Sequence, residues 1–257
     1  MFPDYSTVTE TPGDRITREA ASMLVTRYAH AASYCDGKDV LEIACGSGQG
    51  LGYIGARARR LTGGDCTEGL IGDARRCYGD RFPLVRLDAE RLPFASSAVD
   101  VVLLHEAIYY LRSADRFVDE AKRVLRPGGR LIVSTVNREW ADFNPSPLSH
   151  WYPTAGELRA LLEARFAYVE IFGSFPVRSA SSVDAGVSVV KRLAVRFQLM
   201  PKTMRGKRLL KRLFFGELVS VPSEIAADLA PYVPPVPLPD NGRCSGYKIL
   251  CAVAAVS

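Results

Sequence analysis

Apolar positions fall into short runs, and between most of the runs the apolar spacing lengthens to that of a helix. The segment 39–44 (DVLEIA) is apolar and breaks straight into glycines, which predicts a buried parallel strand that ends at a loop. Similar runs at 60–64, 82–87, 99–104, 130–136 and 167–172 predict further strands, and residues 17–34 predict an amphipathic helix ahead of them. In a second helix Ala114, Phe117, Val118, Ala121, Val124 and Leu125 recur at helical spacing, with Asp115, Asp119, Lys122 and Arg123 opposite. It should stop before Pro127-Gly128-Gly129, a turn into the fifth strand. Strands alternating with helices imply an α/β fold with a doubly wound, mostly parallel sheet covered on both faces.

Residues 174–244 interrupt this rhythm with two basic helical patterns and a proline-rich stretch at 231–239, and the final run 246–256 is again strand-like. The chain therefore divides into an N-terminal helical lid (1–36), a Rossmann-like core (37–173), a basic helical insertion (174–244) and a last core strand (245–257). Within the insertion, residues 185–216 hold nine Lys or Arg and no acid, so the formal charge of +5 is local and the rest of the chain is net acidic. A basic helix over 188–216 fits an acidic, phosphate-bearing or lipid-linked ligand, peripheral contact with an anionic membrane, or an ordinary amphipathic lid. No interleaved aromatics or RNA-binding module point to nucleic acid.

No run approaches the roughly 20 apolar residues of a membrane-spanning helix, and the N-terminus lacks a cationic segment followed by an apolar one, so a cytoplasmic protein is expected. Six scattered cysteines without CxxC pairs or histidine neighbours predict reduced thiols and no metal site.

Chemistry concentrates where the predicted strands end. Residues 40–50 (VLEIACGSGQG) run a strand into Gly46-x-Gly48-x-Gly50, a loop that can turn sharply and approach a ligand closely. Asp65, 19 residues after Gly46, ends the second strand, where an acid can accept from ribose hydroxyls; helix capping is the alternative. Asp88 and Ala89 follow the third strand, where a carboxylate can meet an adenine amino group or simply stabilise a loop. A literal GxGxxG at 50–55 would suit a nicotinamide oxidoreductase, but it begins about six residues past the strand instead of at its end.

The ordered set VLEIACGSG, GGDCTEGL, LDAERLPF, VDVVLLHEAIYYL and EAKRVLRPGGRLIV resembles the class I S-adenosylmethionine-dependent methyltransferases over residues 39–136. The flanking segments 9–42 and 137–158 are similar to bacterial members found with glycan and glycosylation enzymes. The resemblance implies strand order 3-2-1-4-5-7-6 with the last strand antiparallel, and S-adenosylmethionine as cofactor. It assigns the cofactor to Glu42, Ala44, Gly46, Gly48, Asp65, Cys66, Leu70, Asp88 and Ala89, with Arg27 and Tyr28 covering it from the N-terminal helix.

In open α/β sheets ligands lie outside the carboxyl ends of the strands. Two of the three histidines sit there: His105 after the fourth strand and His150 in the loop after the fifth. Methyl transfer to a hydroxyl or ammonium requires an aligned acceptor and removal of a proton, work suited to histidine near neutral pH. His105 could serve as base, cofactor contact or satisfied core histidine, and His150 as base or loop residue. Glu106 and Tyr109 could share the proton work or simply belong to a buried helix start, and Asn137, Ser149 and Tyr152 could bind a polar acceptor. The expected reaction is methylation of a small polar molecule, such as a hydroxyl of a sugar, glycan precursor or natural product; an oxidoreductase and a catalytically silent cofactor-binding protein are the alternatives.

Overall fold

The strand predicted at 39–44 forms as β2 (Asp39–Ile43), buried along its whole length, and its neighbours build around it. The structure, a computed structural model, describes residues 3–177, 218–240 and 244–257. Beside β2 stand β3 (Arg60–Asp65), β4 (Leu84–Arg86), β5 (Val99–His105), β6 (Leu125–Val136), β7 (Tyr168–Pro176) and β10 (Tyr247–Ala255). Their order is β4-β3-β2-β5-β6-β10-β7, with β2 to β6 parallel and β10 antiparallel to both its neighbours. This is the order 3-2-1-4-5-7-6. An eighth short strand, β9 (Val236–Pro237), extends the edge beyond β7.

The helices are α1 (Arg18–Ala32), α2 (Leu51–Gly55), α3 (Glu68–Tyr78), α4 (Ala114–Val124) and α5 (Ala155–Glu163). In α4 the predicted stripe Phe117, Val118, Ala121 and Val124 is fully buried, and Ser113 caps the first turn by accepting from the Arg116 N–H. A capping box between Thr154 and Glu157 starts α5. Among the described residues no helix is long and apolar enough to cross a membrane.

The turn expected at Pro127-Gly128-Gly129 does not separate α4 from the fifth strand. β6 starts at Leu125 and absorbs the three residues as a bulge, since Val99 pairs with Leu125 and Val101 with Arg130. Gly128 takes φ 72°, and a Cβ on Gly129 would lie 3.0 Å from the Asp100 carbonyl, so glycine is what lets β6 close on β5.

Both basic helical patterns of the insertion lie outside the described residues. Its described end is extended chain: β8 (Leu218–Ser220) pairs antiparallel with β1 (Arg15–Thr17). The chain then crosses α2 and α1, where the Ile225 N–H donates to the Gln49 carbonyl, Glu224 pairs with Arg81, and the Val233 N–H donates to Thr26. Residues 174–176, counted with the insertion from the sequence, continue β7.

Candidate active site

A cavity of about 1230 Å³ opens over the carboxyl ends of β2 to β6, at the point where the strand order reverses. Single ligands usually occupy pockets of roughly 300–1,000 Å³, so there is room for two.

One side of the cavity is built by the loop after β2. Ala44, Gly46 and Gly48 all take positive φ (57°, 58° and 85°), which folds the chain back on itself and leaves Ala44, Cys45 and Gly46 on the cavity wall. Asp65, buried at the end of β3, fixes the turn. Its Oδ2 accepts from the Gly46 N–H at 3.0 Å and its Oδ1 from the Thr67 N–H at 2.8 Å. Burial raises its carboxyl above the usual range, and these bonds oppose the rise. Cys66, Asp88 and Ala89 continue the wall, and burial pushes the Cys66 thiol up to about 11. The N-terminal segment closes this side: Tyr5 donates to the Tyr110 carbonyl, and Gln49 donates to the Glu10 carbonyl at 2.6 Å.

The groups at the end of β5 form the centre of the cavity. His105 is buried, its Nδ1 lies 2.9 Å from the Ser134 hydroxyl, and its Nε2 has no hydrogen-bond partner among the described residues. Burial, with Arg27 nearby, depresses its pKa to about 3. Next to it Glu106 takes φ 52°, a strained conformation for a side chain of its size, and lines the cavity. The Tyr109 hydroxyl donates to Glu106 Oε2 at 3.2 Å. Burial raises the Glu106 carboxyl, opposed by Arg27 and by hydrogen bonds from Tyr109 and the Val136 backbone. From α1, Arg27 and Tyr28 close the centre; Tyr28 donates to Glu42 Oε1 at 2.6 Å, and its ring meets that of His105 edge-on at 5.0 Å.

Of the residues singled out from the sequence, Tyr28, Ala44, Gly46, Asp65, Cys66, Asp88, Ala89, His105, Glu106, Tyr109 and Tyr152 share this cavity. Six do not line it. Glu42 reaches it only through Tyr28, and burial lifts its carboxyl to about 7. Gly48 packs on Tyr78, whose hydroxyl donates to the Gly48 carbonyl at 2.8 Å, and Leu70 is core. Asn137 is buried and donates to the Cys244 and Tyr247 carbonyls, tying β6 to β10 instead of facing an acceptor. Ser149 donates to the Ser146 carbonyl within its loop. His150 is exposed and only its backbone N–H is engaged, with the Tyr109 carbonyl, so its imidazole is not placed to act in the cavity. That loop contributes Tyr152 instead, stacked on Tyr109 at 4.2 Å, together with Asn144 and Ser146.

The GxGxxG at 50–55 does not meet the cavity as a phosphate loop. Gly50 caps α2, and a Cβ there would fall 1.9 Å from the Tyr28 ring, so this glycine makes room for a side chain. Residues missed from the sequence are Tyr5, Glu10, Met23, Tyr110, Arg112, Arg116, Val221 and Ile249. Of these only Met23 leaves a signal, since it shares one helical face with 20, 24 and 27.

The loop, Asp65 and Asp88 are arranged as a nucleoside-bearing ligand such as S-adenosylmethionine requires. A turned backbone puts Gly46 on the cavity wall, one buried carboxylate lies beside it, and a second carboxylate stands farther along the wall.

Comparison with known proteins agrees with this geometry. A family model described as a methyltransferase domain matches residues 41–133. A probable S-adenosylmethionine-dependent methyltransferase of Mycolicibacterium smegmatis is 36% identical over 173 residues, 64% of this chain and 66% of the relative. The matched stretch thus spans slightly under two thirds of that relative's length. Phthiotriol/phenolphthiotriol dimycocerosates methyltransferase 1 of Mycobacterium ulcerans is 36% identical over 48% of this chain and 50% of its own. In fold, the chain is similar to the crystal structure of a methyltransferase of Thermotoga maritima titled a possible histamine N-methyltransferase. That match has a TM-score of 0.57 and 16% identity and covers 93% of this chain and 95% of the other. With its strand order, its glycine loop and these relatives, the chain belongs to the class I S-adenosylmethionine-dependent methyltransferase superfamily.

Proposed function

We propose that the protein transfers a methyl group from S-adenosylmethionine to a hydroxyl of a small-molecule acceptor, with Glu106 as the group that takes the proton. The observation that carries this reading is the Glu106 carboxyl itself. It is held in the cavity on a left-handed backbone at the end of β5, fixed by Tyr109 and raised by burial toward the range where a carboxylate accepts protons well.

Gly46, Asp65, Asp88, Ala89 and Tyr28 would hold the cofactor, which when bound supplies an electrophilic methyl carbon on a sulfonium. Asp65 would accept from the ribose hydroxyls while it keeps the loop turned. The Glu106 carboxyl accepts from Tyr109 and from the Val136 backbone, and its remaining lone pairs would meet the acceptor hydroxyl. Arg27 stabilises the Glu106 charge until the proton arrives. His105, neutral at every physiological pH, orients the acceptor through its unpartnered Nε2 and takes no part as a base. The relative named for a triol acceptor supports the choice of a hydroxyl.

The test uses S-adenosylmethionine labelled in the methyl group and a small-molecule extract as the source of acceptor. Label should pass to low-molecular-weight product with wild-type protein and fall about a hundredfold or more with Glu106→Gln. Undiminished transfer by a Glu106→Gln protein that binds S-adenosylhomocysteine normally would remove Glu106 from the reaction. Heat on titration with NAD but none with S-adenosylhomocysteine would overturn the reading altogether.

A further inference from the structure

The cavity continues past Glu106 into an arm that cofactor binding does not explain. Its walls are Ala20, Met23 and Leu24 from one face of α1, Val136 at the end of β6, Ile249 beside it on β10, and Val221 just beyond β8. The cofactor residues belong to the ends of β2, β3 and β4, whereas Val136 and Ile249 are register partners on the far side of β5. The two arms therefore diverge from the centre formed by Arg27, Tyr28, His105 and Glu106.

None of the six walls carries a side-chain donor or acceptor. Leu24, Val221 and Ile249 are only 6%, 3% and 8% exposed, and all three line the cavity. Water in such an arm finds no partner, and an apolar occupant gains by replacing it. Met23, unbranched and flexible, lets one wall adapt to a chain of variable shape. Glu10, Arg27 and Glu106 line the same cavity, so an occupant would be apolar along its body and polar where it meets Glu106.

We infer that the acceptor carries a linear aliphatic chain, which lies between α1, Val136, Ile249 and Val221 and brings its hydroxyl end to Glu106. This inference rests on the hydroxyl-methylation reading for the role of that end. The chain fixes the acceptor along the arm, and Arg27 and Glu106 fix the last polar atom against the methyl donor. Chain length is thereby the property that the arm selects.

The n-alkanols from hexanol to dodecanol are the probes, titrated calorimetrically into protein saturated with S-adenosylhomocysteine. Affinity should rise about fourfold per methylene until the arm is full, with no release of S-adenosylhomocysteine. Ala20→Phe and, separately, Val221→Trp should weaken dodecanol at least tenfold, hexanol less than threefold and S-adenosylhomocysteine less than twofold. Affinity independent of chain length in the wild-type protein would overturn the inference without recourse to any variant. So would displacement of S-adenosylhomocysteine by the alkanols, or an unshortened series in both variants. A normal alkanol series in a protein whose Glu106→Gln variant still transfers label at full rate would sink the proton role of Glu106 and leave the arm standing.

Discussion

Replacing Asp65 by asparagine separates the two tasks assigned to this side chain, because it keeps the shape and removes one acceptor. In the wild-type protein the two carboxylate oxygens accept from different backbone donors, Gly46 N–H at 3.0 Å and Thr67 N–H at 2.8 Å. An amide accepts through its oxygen only, so either orientation of the substituted side chain sets an NH₂ against a buried N–H. A buried donor left without an acceptor costs about 1–3 kcal/mol, and the unfolding free energy should fall by about that amount. Cofactor affinity falls for a different reason. A hydrogen bond to a charged oxygen contributes about 1.5–3 kcal/mol and one to a neutral oxygen about half as much, so loss of the charge should weaken S-adenosylhomocysteine roughly tenfold. Urea unfolding measures the first effect and calorimetry the second. A folded variant with wild-type affinity would show that the ribose does not meet Asp65. Wild-type stability with weakened affinity would show that the two backbone bonds do not hold the loop.

Three further outcomes follow from the site. The raised Glu106 carboxyl should place the acid limb of kcat/KM above the ordinary carboxylate range, and Glu106→Gln should abolish that limb along with most of kcat; a limb that survives belongs to another group. Burial lifts Glu42 from 4.5 to about 7, so the folded chain keeps a proton that the unfolded chain has released. Stability should therefore fall by about 3 kcal/mol as pH rises across that interval, and an equally steep slope in Glu42→Gln would place its origin elsewhere. Gly50→Ala sets a Cβ within 1.9 Å of the Tyr28 ring and should cost about 2 kcal/mol or more in chemical unfolding, part of it recovered in the Gly50→Ala/Tyr28→Ala double variant; simple additivity would refute the contact.

The fold was legible because its signals are local. A strand such as β2 is apolar along its length and ends in glycines, and α4 carries its stripe and its cap within one short stretch of sequence. Strand order came from the resemblance, since no local pattern states which strands pair. What local reading got wrong was Pro127-Gly128-Gly129, where turn chemistry also suits a bulge. The deciding fact is the close approach of β5, which only the folded chain supplies.

At the site the line between legible and hidden runs through burial. His105 and His150 were attractive because an unperturbed imidazole titrates near neutral pH, but one is buried enough to fall to about 3 and the other stands exposed outside the cavity. The same burial acts in the opposite sense on Glu106, because it disfavours the charged form of each: an imidazole loses basicity and a carboxylate gains it. Burial thus favours the carboxylate proposed as base over the buried imidazole, an ordering that residue type alone does not give. Backbone strain points the same way. β2 and β5 are neighbours at the reversal of strand order, and each is followed by a non-glycine residue in the left-handed region, Ala44 at φ 57° and Glu106 at φ 52°. Neither residue type favours that conformation, so sequence gives no hint of it, and the surrounding packing must sustain both. The two strained residues flank the crevice, one on the cofactor loop and one carrying the proposed base.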